Sequence, residues 1–516
     1  MQTEKEYLIG REIASLRCES TGEYSLPDYN GDVKKILAVK CKAFPSGCFS
    51  SDDSLEFSGS VGYDVVYLDS ENNITHAEFS TDYESSVRMK AENYVSSDVK
   101  TSISSCNLRP LGPRKLSVKC TLENDIRICE KRSYSIEGDA FLEYEPELST
   151  STANVFRPVI LCGEAKEYKE DVMTLEGAIV DEVEILMTEA CFKEESINVN
   201  DGSLSLEGYV KVNILYSNGD TVPRICEARI PVREDILSDE PYEASSCESR
   251  LDISELKSYV TPFEEGVYIG VSLSAKPVVY ARVNDILEIA KDAYLKERGT
   301  ENEYRDFDYT EHILTERCEE SFDYRLPFSE VGVESCGQII WLDASSRVER
   351  CDFCADGVKV EGEIRFSAIA CQVSEDEKAN YFPIKFGVPF VKNVNINLQK
   401  HENMQISCSV NATDLKMECT GNEVLASATL LAFVSVNSER RQRCLGRSVL
   451  TGDEFTLDES VVTVYYPDPS ESLFSVAKRF HTSVKKIAET NMLAESVYAS
   501  STEPLVGTGV KRLIIK

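Results

Sequence analysis

Residues 55–67 read LEFSGSVGYDVVY, residues 204–216 read LSLEGYVKVNILY, and residues 358–370 read VKVEGEIRFSAIA. In the first stretch Leu55, Phe57, Gly59, Val61, Tyr63, Val65 and Tyr67 share one parity. Leu204, Leu206, Gly208, Val210, Val212, Ile214 and Tyr216 do so in the second. Val358, Val360, Gly362, Ile364, Phe366, Ala368 and Ala370 do so in the third. Side chains of one parity lie on one face of a β-strand. Most residues between them are polar, such as Glu56, Ser58 and Asp64, or Lys359, Glu361, Glu363 and Arg365. This alternation predicts antiparallel strands with one buried and one wet face.

Glycine is third in every row. Inside a strand it costs about 0.5–1 kcal/mol relative to alanine, so its recurrence needs a structural reason. A bulge, a sharp coil or the close approach of another backbone would supply one. Gly59, Gly208 and Gly362 lie 149 and 154 residues apart, which predicts three units of one type laid end to end. A length of 516 residues agrees, at roughly 150 residues per domain.

The apolar share of 42% is enough for packed cores. The net charge of −34 repels phosphate backbones and argues against nucleic-acid binding. The opening MQTEKEYLIGREIASL has acidic residues and no apolar core of a secretory signal, and no run of 18 apolar residues occurs. The expectation is an intracellular protein with no transmembrane segment. Its 18 cysteines are then expected to be reduced thiols, many of them in cores, as Cys120 is in LSVKCTL.

In chain order, residues 1–145 are expected to form the first β domain, with residues 1–25 as a lead-in and a strand after the turn at Pro27–Gly31. Residues 146–304 form the second, with a hairpin signal at Asn218-Gly219. In VNDILEIAKDAYLKERG (283–299), Ile286, Ile289, Ala290 and Ala293 fall at helical spacing. That segment is expected to be a connecting helix, followed by an acidic, aromatic linker, TENEYRDFDYTEH. Residues 305–458 form the third unit, with the sole tryptophan, Trp341, in its core.

The composition changes at about 461. Residues 461–516 carry seven basic and five acidic side chains, a net +2 that leaves −36 on the rest. The tail is expected to face a different partner or to dock on the acidic body. VVTVYY reads as a strand, and SESLFSVAKRF places Leu473, Val476, Ala477 and Phe480 on one helix face. Thr482 or Ser483 caps a second helix carrying Val484, Ile487 and Ala488, and KRLIIK closes as a strand.

This strand–helix–helix–strand order, with VTVYYPDPSESLFSVAKRFHTSVKKIAETN and the final RLII, resembles a LysM domain. The turn Ser470-Glu471-Ser472-Leu473 stands where the family has Gly-Asp-Thr-Leu, and Asn491 matches the family's asparagine after the second helix. The three glycine-strand units are similar to SPOCS repeats of spore-forming Clostridia. LPDYNGDVKKILAVKCKA with SLEFSGSVGYDVVYLDSENNI, and LSLEGYVKVNILY, match most clearly; the third unit is more diverged. The whole resembles the clostridial spore-coat morphogenetic proteins.

The resemblance implies a mainly β fold, with three tandem SPOCS-like repeats followed by a small α+β (βααβ) LysM domain. It implies a non-enzymatic scaffold in the mother-cell cytoplasm, at the forespore surface. Its partners would be a coat-morphogenetic ATPase and other spore-coat proteins. The alternative is peptidoglycan or N-acetylglucosamine binding through the LysM groove. In either case the recognition loops are Asp468, Ser470, Glu471 and Ser472 on one side. Asn491, Met492 and Leu493, with Gly507 and Gly509, form the other.

No catalytic, metal or cofactor motif is expected. Cys351-Asp-Phe-Cys354 is the only CxxC; with no second pair or spaced histidines, it reads as two thiols at a turn rather than a zinc site. No βαβ pattern surrounds it as in a redox motif. His76, His312, His401 and His481 stand beside no candidate nucleophile in sequence. P-loop, GxSxG and HExxH motifs are absent from the sequence.

Overall fold

The computed structural model describes residues 4–51, 53–89, 93–142, 144–200, 203–220, 222–238, 244–333, 337–373, 378–398, 402–455 and 461–516. His401 and the end of the third unit near 458 lie outside the described residues. Six strands occupy the first 135 residues: β1 (Glu4–Ser25), β2 (Lys35–Ser51), β3 (Ser54–Leu68), β4 (Ile74–Arg88), β5 (Tyr94–Gly112) and β6 (Lys115–Ser135). They form two antiparallel sheets, ordered β2-β3-β4 and β1-β6-β5. The glycine row of β3 points inward. Leu55, Phe57, Val61, Tyr63, Val65 and Tyr67 are buried with Val118, Cys120, Leu122, Ile126 and Ile128 of β6. The central strand of each sheet thus supplies the apolar layer of a two-sheet sandwich.

The same pairing plan recurs twice. In the second set come β7 (Glu147–Cys162), β8 (Lys166–Glu176), β9 (Glu184–Asn200), β10 (Ser203–Ser217), β11 (Arg224–Leu237), β12 (Ala244–Phe263) and β13 (Gly266–Tyr294). The sheets are β11-β10-β9 and β12-β13-β7, with β8 also paired to β13. Here β7 and β8 share the place that β1 fills alone. In the third set come β14 (Arg298–Pro327), a short helix α1 (Phe328–Val331), β15 (Gln338–Cys354), β16 (Gly357–Val373), β17 (Ala379–Asn395), β18 (Met404–Thr420) and β19 (Glu423–Glu454). Its sheets are β15-β16-β17 and β14-β19-β18. The chain is mainly β.

The recurring glycines have one cause. Opposite each, the preceding strand carries a bulge: the register slips at Pro45/Gly47 across from Gly59, at Glu194/Ser196 across from Gly208, and at Val348/Arg350 across from Gly362. The bulge pushes a carbonyl toward the glycine. A side-chain carbon at Gly59 would stand 2.5 Å from the Phe44 oxygen. At Gly208 and Gly362 it would meet the oxygens of Lys193 and Arg347 closer still.

A second bulge recurs at the start of β2, β9 and β15, where Leu37, Leu186 and Ile340 fall out of register. All three are buried, and they meet in one cluster with Ala38, Met187 and Trp341, and with Val66, Leu215 and Ile369. Each trio is one position taken from all three sets, at the spacing of the glycines. A fourth trio, Lys40, Glu189 and Asp343, forms an ion cluster there. The Lys40 Nζ lies 2.5 Å from Glu189 Oε1 and 2.7 Å from Asp343 Oδ1. Burial works against the ammonium, but the two carboxylates outweigh it and raise its pKa above the ordinary lysine range. Three sandwiches are thereby fixed to one another through equivalent residues.

The tail contains β20 (Thr463–Tyr465), α2 (Leu473–Arg479), α3 (Val484–Thr490), α4 (Glu495–Ala499) and β21 (Leu513–Ile515), with β20 and β21 paired antiparallel. Leu473, Val476, Ala477, Val484 and Ile487 are buried together, with Phe480 packed against them. The α4 turn lay outside the sequence reading.

Three expectations are corrected. Residues 283–294 are strand, not helix: β13 pairs with β7 from Val278 to Tyr294. A bulge between Ala290 and Asp292 shifts the parity, so Leu287, Ile289, Ala290 and Ala293 are all buried while Ile286 is 75% exposed. A strand whose buried parity shifts at a bulge imitates helical spacing. The acidic segment 300–312 is also strand, within β14, and its charges face arginines of β19: Glu303–Arg447 at 3.1 Å, Asp308–Arg441 at 2.6 Å and Glu311–Arg440 at 2.9 Å. The lead-in is β1, paired with β6 along its length. Cysteine chemistry differs too: among the described residues sixteen cysteines are free thiols, whereas Cys419 is disulfide-bonded.

Candidate functional site

The expected recognition loops divide into structural and exposed residues. Ser472 is the N-cap of α2, in a reciprocal capping box with Ser475. Glu471 accepts the Tyr465 hydroxyl at 2.7 Å and the Asp468 N–H at 3.0 Å, and pairs with Arg479 at 2.5 Å. These bonds, that from Tyr465 first, hold its carboxyl below the usual range. Asp468 in turn accepts the Ser470 N–H and hydroxyl. The turn before α2 is therefore prefolded by its own side chains.

Asn491 is consumed by the fold. Its Nδ2 donates to the Ile487 and Ile514 carbonyls at 2.9 and 2.8 Å, and its Oδ1 accepts the Ile514 N–H at 2.7 Å. It ties the end of α3 to β21. Its neighbour Met492 has φ of 49° and is 94% exposed. Leu493 packs against the tail core. Gly507 and Gly509 both adopt positive φ, at 80° and 78°, in an exposed turn. That turn follows the segment joined to the first loop by the Ser472–Pro504 bridge and the Leu505 N–H to Glu471 carbonyl bond of 2.8 Å. Tyr466, Met492 and Val506 face solvent, as do the basic Lys485, Lys511 and Arg512.

The tail docks on the end of β13 and on Phe455 beyond β19. Tyr294, at the end of β13, donates its hydroxyl to the Thr482 carbonyl at 2.6 Å and packs edge-on to Phe474, with ring centroids 5.2 Å apart. Lys478 pairs with Asp292 at 2.6 Å, and His481 stacks on Phe455 at 3.6 Å. Burial alone would raise the Asp292 pKa, but Lys478 outweighs it and keeps the carboxyl below its ordinary value. Sequence reasoning missed these anchors because Asp292 and Tyr294 fell in the stretch read as a helix. The tail's charge excess was the one signal that pointed to docking.

A second polar centre lies where the three β1-type sheets meet. Tyr280 donates to Glu12 at 2.6 Å, and Arg127 and Arg282 both bind Glu248, at 2.7 and 2.6 Å. Arg250 binds Asp98 in bidentate fashion at 2.7 and 2.5 Å. Burial opposes the Glu248 charge, but Arg282 and Arg127 prevail and pull its pKa down to about 2. His312 is buried beside it, bonded to Asn437 at 2.9 Å, and burial lowers its pKa. Every carboxylate named here faces a cation or a donor, the pattern of a structural junction.

The CxxC is split by its strand. Residues three apart on β15 point to opposite faces, so Cys354 is exposed while Cys351 packs on the apolar core that Cys408 of β18 also lines. Among the described residues no group of three or more His, Cys, Asp or Glu side chains has metal-holding geometry, and no helix is long and apolar enough to cross a membrane. An open groove of about 1240 Å³ in the first set mixes Glu6, Arg11, Arg88, Glu130 and Arg132. In comparisons with family models, curated proteins and solved structures, nothing matches the chain.

Proposed function

We propose that the chain is a non-enzymatic scaffold of bacterial spore-coat assembly. In this reading it sits in the mother-cell cytoplasm at the forespore surface, and its tail acts as a LysM domain that binds a coat-morphogenetic ATPase. The three β sets are then SPOCS-like repeats forming a rigid body that meets other coat proteins. The observation that carries the reading is the posture of the tail. The tail is anchored through Phe474, Lys478, His481 and Thr482. Its loops present Tyr466, Met492 and Val506 to solvent, Met492 almost fully. Exposed apolar side chains on a prefolded loop suit a protein partner, because burying them on binding gains hydrophobic free energy at little ordering cost. The tail's excess of basic over acidic side chains favours an acidic partner surface.

Deleting 461–516 is expected to leave the β sets folded and to abolish co-purification of the ATPase from sporulating cells. Met492→Asp is expected to weaken that association while the tail keeps its helix content. If the isolated chain instead sediments with purified peptidoglycan, and N-acetylglucosamine oligomers compete it off with no protein partner recovered, the glycan-binding alternative replaces this reading.

A further inference from the structure

The two-stranded sheet of the tail has one edge closed and one open. Val464 of β20 stands opposite Ile514 of β21. The Ile514 N–H and carbonyl are both bonded by the Asn491 side chain, at 2.7 and 2.8 Å. They point away from β20, and Asn491 fills the outer edge of β21 as a further strand would. Opposed residues in an antiparallel pair exchange both bonds or neither. Val464 therefore turns its own N–H and carbonyl outward, along the free edge of β20. Among the described residues neither group has a hydrogen-bond partner. Val462, Val464 and Tyr466 share one parity, and each is more than half exposed. Native sheets blunt such edges with lysine, proline or a bulge; residues 461–466 hold neither residue type, and no bulge interrupts the pairing. Continuing the register brings Arg512 opposite Tyr466 and Lys516 opposite Val462, and both cations are exposed. Segments 461–466 and 511–516 together carry three basic residues and no acidic one.

We propose that the free edge of β20 takes an extended segment of a partner protein as an added strand, in the order acidic-x-apolar-x-acidic. The backbone of that segment bonds the Val464 N–H and carbonyl, and alternate side chains fall on the exposed face of the sheet. The apolar residue then lies beside Val464, and the two carboxylates lie beside Val462 and Tyr466. From there to β21 is two strand spacings, about 9–10 Å, which a glutamate and an arginine or lysine span by reaching toward one another. The carboxylates thus answer Arg512 and Lys516. A second copy of the same edge is the poorer occupant, because 461–466 brings no carboxylate to these cations. The inference rests on the reading of the tail as a partner-binding domain. It adds the mode of binding, strand addition at β20, with Tyr466 common to the strand and the loop surface.

The probe is a dye-labelled synthetic peptide with blocked ends, Thr-Glu-Thr-Val-Thr-Glu-Thr, compared with its charge-reversed counterpart, Thr-Lys-Thr-Val-Thr-Lys-Thr. Binding to the purified full chain is read by fluorescence anisotropy, and its place by hydrogen–deuterium exchange. The acidic peptide is expected to slow exchange within 461–466 and to bind about fivefold or more tightly than its counterpart. Val464→Pro removes the outward N–H but leaves the Thr463–Ile515 and Tyr465–Leu513 pairs, and should weaken binding about fivefold. Arg512→Glu, at an exposed position, should abolish the preference for the acidic peptide, and keeps the test decisive if the proline variant fails to fold. The proposal is overturned if both peptides bind alike, if neither binds, or if the protected amides lie outside 461–466. Equal recovery of the ATPase by Val464→Pro and wild type overturns the strand edge and leaves the proposed function standing. Peptide binding with no ATPase recovered does the reverse.

Discussion

Replacing Lys40 with methionine keeps the side-chain length and removes the charge that joins the three β sets. Its two partners, Glu189 and Asp343, would be left with side chains only 20% and 24% exposed. They would face each other without a cation. Breaking a buried pair by removing one partner costs about 3–5 kcal/mol. Here two carboxylates lose their cation, but both keep some contact with water, so about 3 kcal/mol is the expected loss. For sandwiches of this size that corresponds to a melting temperature lower by roughly 6–12 °C, read by differential scanning calorimetry at pH 7. The sign is secure at that pH, because the Lys40 pKa is raised, and its contribution is lost only as pH rises past the ordinary lysine value of 10.5. Lys115→Met, which removes an exposed pair with Glu23, is the control and should cost less than about 1 kcal/mol. Replacing all three charges together, as Lys40→Met, Glu189→Met and Asp343→Leu, should recover most of the loss, since an apolar cluster already surrounds them. A Lys40→Met chain that melts within 1 °C of wild type would refute the idea that this cluster holds the sets together.

Three further outcomes are expected. Gly208→Ala should destabilise the second set by about 2 kcal/mol or more, because its methyl group strikes the Lys193 carbonyl; urea unfolding measures it. Glu248, with a folded pKa of about 2 against 4.5 ordinarily, contributes stability that is present above pH 4.5 and lost as pH falls toward 2. That is worth about 3 kcal/mol, and Glu248→Gln should flatten this part of the stability–pH profile. Asn491→Ala should loosen β21 by about 1–3 kcal/mol, seen as faster amide exchange at Leu513–Ile515, because the Ile514 N–H and carbonyl lose their partner.

The sequence alone determined which strands lie at the heart of each sandwich and which face they bury. The period of two in 55–67, 204–216 and 358–370 is a local property, written in adjacent residues and enforced by the cost of burying charge. It also made the glycines legible as sites of backbone approach, and the two principal helices of the tail, whose caps and apolar faces are equally local. Only the tertiary structure decided what those residues meet. Leu37, Leu186 and Ile340 turn to a shared centre because bulges release them from their own sheets, and a bulge depends on the partner strand. Residues 283–294 have helical spacing because a bulge shifts the buried parity within the strand. Asn491 matched a recognition position by its place in the chain, yet its bonds run to Ile514, 23 residues away. Local periodicity specifies a face; the identity of what covers that face is a long-range fact that only packing supplies.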